Sequence, residues 1–122
     1  MKICTRCGKF KSLNQFNNRK LSIDGKAYQC KDCKKDIELQ RIYGITLEQY
    51  TQMLTAQNGK CSICETSNTK KLHVDHCHTT NQVRGLLCNS CNNGLGRFFD
   101  NIKYLENAII YLKNYDNPTS SR

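Results

Sequence analysis

Eight of the nine cysteines in this chain fall into four Cys-x-x-Cys pairs, and no other feature restricts its folding options as sharply. Cys4-Thr-Arg-Cys7 is answered by Cys30-Lys-Asp-Cys33, and Cys61-Ser-Ile-Cys64 is answered by Cys88-Asn-Ser-Cys91. A Cys-x-x-Cys turn brings two sulfurs close enough to share one tetrahedral ion. Two such turns complete a Cys4 shell with no position left for water. A closed shell of this kind is structural, and its metal-binding energy is folding energy. The segments between the pairs differ from one another, so the pattern is a recurring device and not a repeat. Each half is expected to bind its own Zn²⁺, through Cys4, Cys7, Cys30 and Cys33 and through Cys61, Cys64, Cys88 and Cys91. Spacing alone also permits pairing across the halves. Cys77 is left over and reads as a small space-filling residue, with a ligand role beside His76 and His78 as the sharper alternative.

Disulfides are the competing explanation for so many cysteines. The opening residues MKICTRCGKF lack the apolar core of a secretory signal, and no apolar run is long enough to span a bilayer. The chain therefore reads as cytoplasmic, with no membrane partner, where thiols stay reduced. The need for staples shows in the composition as well. With no tryptophan, four phenylalanines and 38% hydrophobic residues, 122 residues supply only a thin core.

The charge is uneven. Residues 1–35 carry ten lysines and arginines against two aspartates, leaving only +1 of the net +9 to the other 87 residues. Two zinc-bound Cys4 shells would lower the total to about +5, which is still basic. Such a patch (Lys2, Arg6, Lys9, Lys11, Arg19, Lys20, Lys26, Lys31, Lys34 and Lys35) suits a polyanion, and nucleic acid is the expected partner. A merely solubilising lysine-rich surface is the plain alternative.

Local signals predict the element order. Lys34 to Tyr43 reads as a helix ended by Gly44. Thr46 and Gln49 form a capping box for a second helix, with Leu47, Tyr50, Met53 and Leu54 on one face. Leu72 to His76 and Val83 to Leu87 read as two strands joined by a polar turn, and Cys88 to about Phe99 as a short helix. Asp100 is the expected cap of a last helix, with Ile102, Leu105, Ala108, Ile109 and Leu112 at helical spacing. The expected class is a small zinc-stapled α+β protein. It divides into a basic Cys4 module (1–35), connecting helices (36–59), a hairpin–helix core with a closing helix on the second Cys4 site (60–115), and a disordered tail (116–122).

Within the second zinc loop lies Asp75-His76-Cys77-His78, and Asn92 follows the last zinc cysteine. The staple is expected to draw the end of the first strand toward the start of the helix. Asp75 and Asn92 would then offer oxygens to a hard cation such as Mg²⁺, and a neutral His76 could take a proton from an attacking water. The same tetrapeptide could instead supply zinc ligands or end a strand without further task. On an ideal strand Asp75 and His76 face opposite ways, so cooperation requires a distortion there.

At these residues the sequence resembles the recombination endonuclease VII family, a phage branch of the His-Me finger (H-N-H) nucleases. YGIT-x-EQY, AQNGKCSIC, HVDHCH, VRGLLCNSCN and the closing helix carry the likeness, over about Tyr43 to Tyr115. The preceding module, KICTRCGKFKSLNQF…DGKAYQCKDC, also resembles a zinc module found ahead of such cores. The resemblance implies a ββα-metal core with zinc on the second cysteine set. It implies His76 as general base, Asp75 and Asn92 as Mg²⁺ ligands (with Mn²⁺ as a substitute ion) and His78 as an assistant at the phosphate. Arg84 is a candidate phosphate clamp, with a solvated strand arginine as the plain alternative. The implied activity is hydrolysis of DNA phosphodiesters to 5′-phosphate and 3′-hydroxyl ends, by a branched-DNA (Holliday-junction) resolvase or a nicking enzyme. The implied setting is bacterial or phage-infected cytoplasm, with a homodimer formed through helices. Cys77 stands where the best-known family member has an acidic residue between the histidines. A non-catalytic zinc-dependent DNA-binding regulator is the alternative from another class.

Overall fold

In the computed structural model, residues 1–67 and 71–115 are described. They form a small α+β protein with four helices and three two-stranded sheets. The expected tail at 116–122 lies outside the described residues. The chain divides into two compact units. Met1–Gly59 groups with His76–Arg84, and Lys60–Asp75 with Gly85–Arg122.

In the first unit, β1 (Lys2–Ile3) pairs antiparallel with β2 (Phe10–Lys11). A 3₁₀ turn at Leu13–Gln15 leads into β3 (Phe16–Asn18), which pairs antiparallel with β4 (Lys26–Cys30) across a register shift. These strands are too short to be held by apolar alternation. They are arranged around sulfur instead: Phe16 is fully buried in a cluster with Cys4, Cys30 and Cys33. A side chain of that size contributes about 2–3 kcal/mol on burial.

Cys30 then caps α1 (Lys31–Tyr43), which therefore begins three residues earlier than the Lys34 start expected from sequence. The cysteine pair is itself the helix start, so the usual Ser, Thr or Asp signal is missing. Gly44 ends α1 in the left-handed region (φ 72°), its amide donating to the Gln40 carbonyl. Thr46 and Gln49 form the expected capping box of α2 (Leu47–Ala56). Asp36 fastens the corner between the two helices. One carboxylate oxygen accepts from the Leu47 amide at 2.7 Å, the other from Arg6 at 2.7 Å and Gln40 at 2.9 Å. The Leu47 amide, followed by Arg6, holds the Asp36 carboxyl below its ordinary pKa. Leu39 and Tyr50 are buried, and the Lys35 ammonium lies 4.7 Å from the Tyr50 ring centre.

The strand β5 (His73–His76) pairs with β6 (Val83–Leu87) in a two-stranded sheet, followed at once by α3 (Asn89–Arg97). The turn between the strands is closed by the Cys77 amide on the Gln82 carbonyl at 2.8 Å and the Asn81 amide on the Cys77 carbonyl at 2.7 Å. In the second unit the buried residues are Cys61, Leu72, Val74, Asp75, Leu86 and Leu87. The last helix, α4, spans Ile102–Tyr115. Its cap is Asn101, whose side-chain oxygen accepts from the Tyr104 amide at 3.0 Å, in place of the expected Asp100. Asp100 instead takes a left-handed conformation (φ 54°) that ends the preceding turn. The apolar spacing along α4 is also not a buried stripe. Leu105 and Ala108 are half-buried, while Ile102, Ile109 and Leu112 are 72%, 53% and 62% exposed. Among the described residues no helix is long and apolar enough to cross a membrane.

Candidate functional site

The cysteines resolve into two separate clusters, one in each half: Cys4, Cys7, Cys30 and Cys33, and Cys61, Cys64, Cys88 and Cys91. Within each, the four sulfurs lie within 4.8 Å of one another. A tetrahedral Zn²⁺ with bonds of about 2.3 Å needs sulfur–sulfur edges of about 3.8 Å. Cys4 and Cys33 sulfurs are 3.7 Å apart, as are those of Cys64 and Cys88, so both clusters fit the ion. Pairing across the halves is excluded by this arrangement.

Both clusters use one local fold. The Cys4 amide donates to the Lys9 carbonyl and the Gly8 amide to the Cys4 carbonyl, at 2.9 Å each. In the second cluster the Cys61 amide donates to Thr66 at 3.2 Å and the Glu65 amide to Cys61 at 3.0 Å. The residue after each first pair is left-handed: Gly8 at φ 74° and Glu65 at φ 58°. Each second pair opens a helix, Cys30 capping α1 and Cys88 capping α3, which aims helix N-termini at the thiolates.

The candidate cutting residues sit on the hairpin and α3. Asp75 lies on β5 and is buried (7% exposed), the one buried acidic side chain among the described residues. It breaks the in–out alternation of His73 and Val74, because it lies inside beside another buried residue. His76 ends β5 and is half-buried; its ring centre is 4.8 Å from that of His78 and 5.8 Å from that of Tyr43. Tyr43 was not expected beside His76. The YGIT motif marks its place in the chain, but a ring contact across some thirty residues has no local signal. Asn92 is half-buried in the first turn of α3, its amide donating to the Cys88 carbonyl at 3.0 Å. The neighbouring amides Asn89 and Asn93 are exposed, and the Asn93 side chain donates to Asn89 at 3.4 Å. Cys77 belongs to neither cluster. Its thiol is brought down to about 7, first by the Thr80 hydroxyl, then by the Thr80 and Thr79 amides.

Several basic residues of the first unit are engaged within the chain. Lys2 pairs with Asp24 at 2.8 Å, and Arg6 with Asp36. Lys11 donates to Cys30 Sγ at 3.3 Å and lies 3.6 Å from Asp32. Lys26 donates to Asn18 at 2.9 Å, and Lys34 lies 3.9 Å from Glu38. Lys9, Arg19, Lys20 and Lys31 are exposed, as is Arg84 on β6.

A β–β–α unit whose helix begins at a Cys4 cluster, with a histidine closing its first strand, defines a zinc-stapled ββα protein. Residues 36–114 match the model of the recombination endonuclease VII family, and the chain belongs to that family. It is similar to the Gene 59 protein of Mycobacterium phage L5, 49% identical over 75 residues that cover 59% of this chain and 46% of the relative. The Gene 59 protein of Mycobacterium phage D29 is 49% identical over 74 residues, covering 58% and 45%. The aligned part is thus just under half the length of these relatives. Among solved structures, the ββα-Me type II restriction endonuclease Hpy99I is 32% identical over 94% of this chain and 66% of its own, with a TM-score of 0.43.

Proposed function

We propose that this chain is a divalent-metal-dependent DNA endonuclease with two structural zinc ions. The observation that carries the reading is the family match over residues 36–114, which takes in Asp75, His76, His78, Arg84 and Asn92 together. In this reading residues 1–35 act as a separate basic zinc module and residues 60–115 as the nuclease core, joined by the helices between.

His76 accepts the proton of the attacking water while the water oxygen bonds to phosphorus. The bond from phosphorus to the 3′ oxygen breaks and that oxygen takes a proton from solvent, leaving a 5′-phosphate and a 3′-hydroxyl. Asp75 and Asn92 would hold the cation; a carboxylate and an amide oxygen are the hard donors that Mg²⁺ takes, and Mn²⁺ accepts the same set. When bound there, the ion would supply Lewis-acid stabilisation of the charge growing on the phosphate and the leaving oxygen. Tyr43 and His78, as ring neighbours of His76, restrict how the imidazole can turn, and a His78 ring N–H and the Arg84 guanidinium are offered to the phosphate. The exposed cations of the N-terminal module add sequence-independent affinity for duplex or branched DNA in the cytoplasm. The exposed apolar residues of α4 support pairing of two copies, which sedimentation of the zinc-loaded protein would detect as a dimer mass.

The test is His76→Ala against wild type, both at equal zinc content, on supercoiled plasmid and a four-way junction with and without Mg²⁺. Loss of a general base is expected to slow cutting by about 100-fold or more, with DNA binding retained. Preferential cutting of the junction would assign resolution of branches, and equal cutting a nicking role. DNA binding without cutting by the wild type would leave a zinc-dependent DNA-binding regulator.

A further inference from the structure

One groove in the first unit has a composition that simple phosphate attraction does not require. Its volume is about 450 Å³, and its walls carry Asn17, Asn18, Arg19, Tyr28, Gln29 and Lys34. Thr5 and Ala27 complete the lining, so no carboxylate is among the lining residues. The size falls in the range of about 300–1,000 Å³ usual for small-molecule sites. Cations suffice to hold a phosphate backbone. Amides that read a base edge and an aromatic ring that stacks on a base face are the additional parts that a nucleotide uses.

Tyr28, on β4, is 53% exposed, so its ring is not spent on core packing. Its backbone is nevertheless fixed. The Tyr28 carbonyl accepts from the Thr5 amide at 3.1 Å and from the Thr5 hydroxyl at 3.4 Å, and Thr5 stands between the zinc cysteines Cys4 and Cys7. The Arg19 guanidinium carbon lies 5.1 Å from the ring centre and the Lys2 ammonium 5.5 Å, both within cation–π reach. Arg19 is steadied by its bond to the Ser22 hydroxyl at 3.0 Å. An aromatic ring mounted on a zinc-held strand and flanked by cations loses little freedom when it takes a ligand. A paired base inside a duplex presents no free face to such a ring, whereas an unpaired base does.

We infer that this groove takes one unpaired nucleotide of a DNA strand. The base displaces the Arg19 guanidinium from the Tyr28 ring and stacks there, its edge meets Asn17, Asn18 and Gln29, and the flanking phosphates rest on the released Arg19 and on Lys34. The inference rests on the reading that the chain acts on DNA, and it narrows the substrate to DNA with unpaired nucleotides.

The zinc-loaded full chain, with no other divalent ion added, is titrated against a short oligothymidylate and against a duplex, with anisotropy as the readout. Tyr28→Ala is expected to weaken single-strand binding about tenfold, to leave duplex binding unchanged, and to keep both zinc ions. Tyr28→Phe, which keeps the ring, is expected to restore single-strand affinity. Iodouracil in the oligonucleotide is expected to photocrosslink to Tyr28. An equal loss on both DNAs, or unchanged single-strand affinity with crosslinks mapping elsewhere, would overturn the groove. Plasmid cutting in Mg²⁺ is scored separately. Absence of cutting beside the expected binding pattern removes the nuclease and keeps the groove, and cutting without that pattern removes the groove alone.

Discussion

The leading cysteine of each cluster sits in the same net of amides. Cys4 sulfur accepts from the amides of Arg6, Cys7 and Cys30 at 3.3–3.5 Å, and Cys61 takes those of Ile63, Cys64 and Cys88. Burial, the largest influence on both thiols, raises their pKa, yet the amides outweigh it and bring each to about 6. The closing cysteines, Cys33 and Cys91, are pushed by burial, and then by their neighbouring sulfurs, up to about 12. The side chains around the two nets differ. Where the first cluster has Arg6, the second has Ile63, half exposed. Arg6 bonds Cys33 sulfur and Asp36, and Lys11 donates to Cys30 sulfur. Each cluster has one exposed cysteine, Cys7 and Cys64, but Cys30 and Cys33 are buried where Cys88 and Cys91 are only half-buried; the Cys64 sulfur lies 3.1 Å from the Thr66 hydroxyl. Cavities open onto both clusters, about 790 Å³ at Cys7 and Cys33 and about 500 Å³ at Cys64, Cys88 and Cys91. Similar backbones therefore carry unequal flanking charge: the first cluster has cations to balance a tetrathiolate shell, and the second would leave more of that task to solvent.

Removing one cluster at a time is the largest test of their independence. Cys30→Ser is expected to lower bound zinc from two equivalents to one and to abolish protection of the β3–β4 amides, while the second ion stays. Cys88→Ser is expected to do the converse and to end any DNA cutting, because zinc binding is folding energy in such modules. Metal analysis with hydrogen exchange decides it. If either variant loses both ions, the halves do not fold separately and the comparison fails at its base.

The charge difference predicts the next largest effect. Under an excess of chelator, zinc should leave in two phases, the second cluster about tenfold faster, since hydrogen bonds to charged groups are the stronger kind. The fast phase should vanish in Cys88→Ser. Arg6→Ile, which copies the second cluster's residue into the first, should bring the slow phase toward the fast one, and Lys11→Met should act likewise. Single-phase release by the wild type would show that the flanking cations do not govern zinc retention.

How much of this was legible in the sequence depended on the range of the interactions. The four cysteine pairs, the Thr46–Gln49 box, the Gly44 stop and the two strands around the Thr79–Gln82 turn obey rules that operate over a few residues, and the structure contains them. The four short strands of the N-terminal module carry no alternation, because a cysteine cluster around Phe16 takes the place of a sheet core. The cap of α4 slipped by one residue, since Asp100 and Asn101 are both good caps and only the left-handed turn at Phe99 and Asp100 selects between them. The ring contact of Tyr43 with His76 and the groove around Tyr28 needed the tertiary structure. The assignment of Asp75, His76 and Asn92 rests on the family pattern and on the His76→Ala experiment.

The smallest expected effect concerns the left-handed residue that follows each leading pair. Gly8 adopts its φ of 74° without penalty, whereas Glu65 holds φ 58° with a side chain attached. A non-glycine residue there costs about 1–2 kcal/mol, and glycine returns about 0.4–1 kcal/mol of that through the freer unfolded chain. Glu65→Gly should therefore stabilise the second unit by a net of roughly 0.5 kcal/mol, a rise of about 2–4 °C in its melting temperature. Gly8→Ala should destabilise the first unit by a similar net amount, because Cβ strain outweighs the stiffer unfolded chain and no contact is added: nothing lies within 4 Å of the built Cβ. Thermal unfolding of the zinc-loaded variants, followed at each unit by amide signals, measures both. A Glu65→Gly protein that melts lower would show that the Glu65 side chain contributes more to the second knuckle than its backbone strain removes.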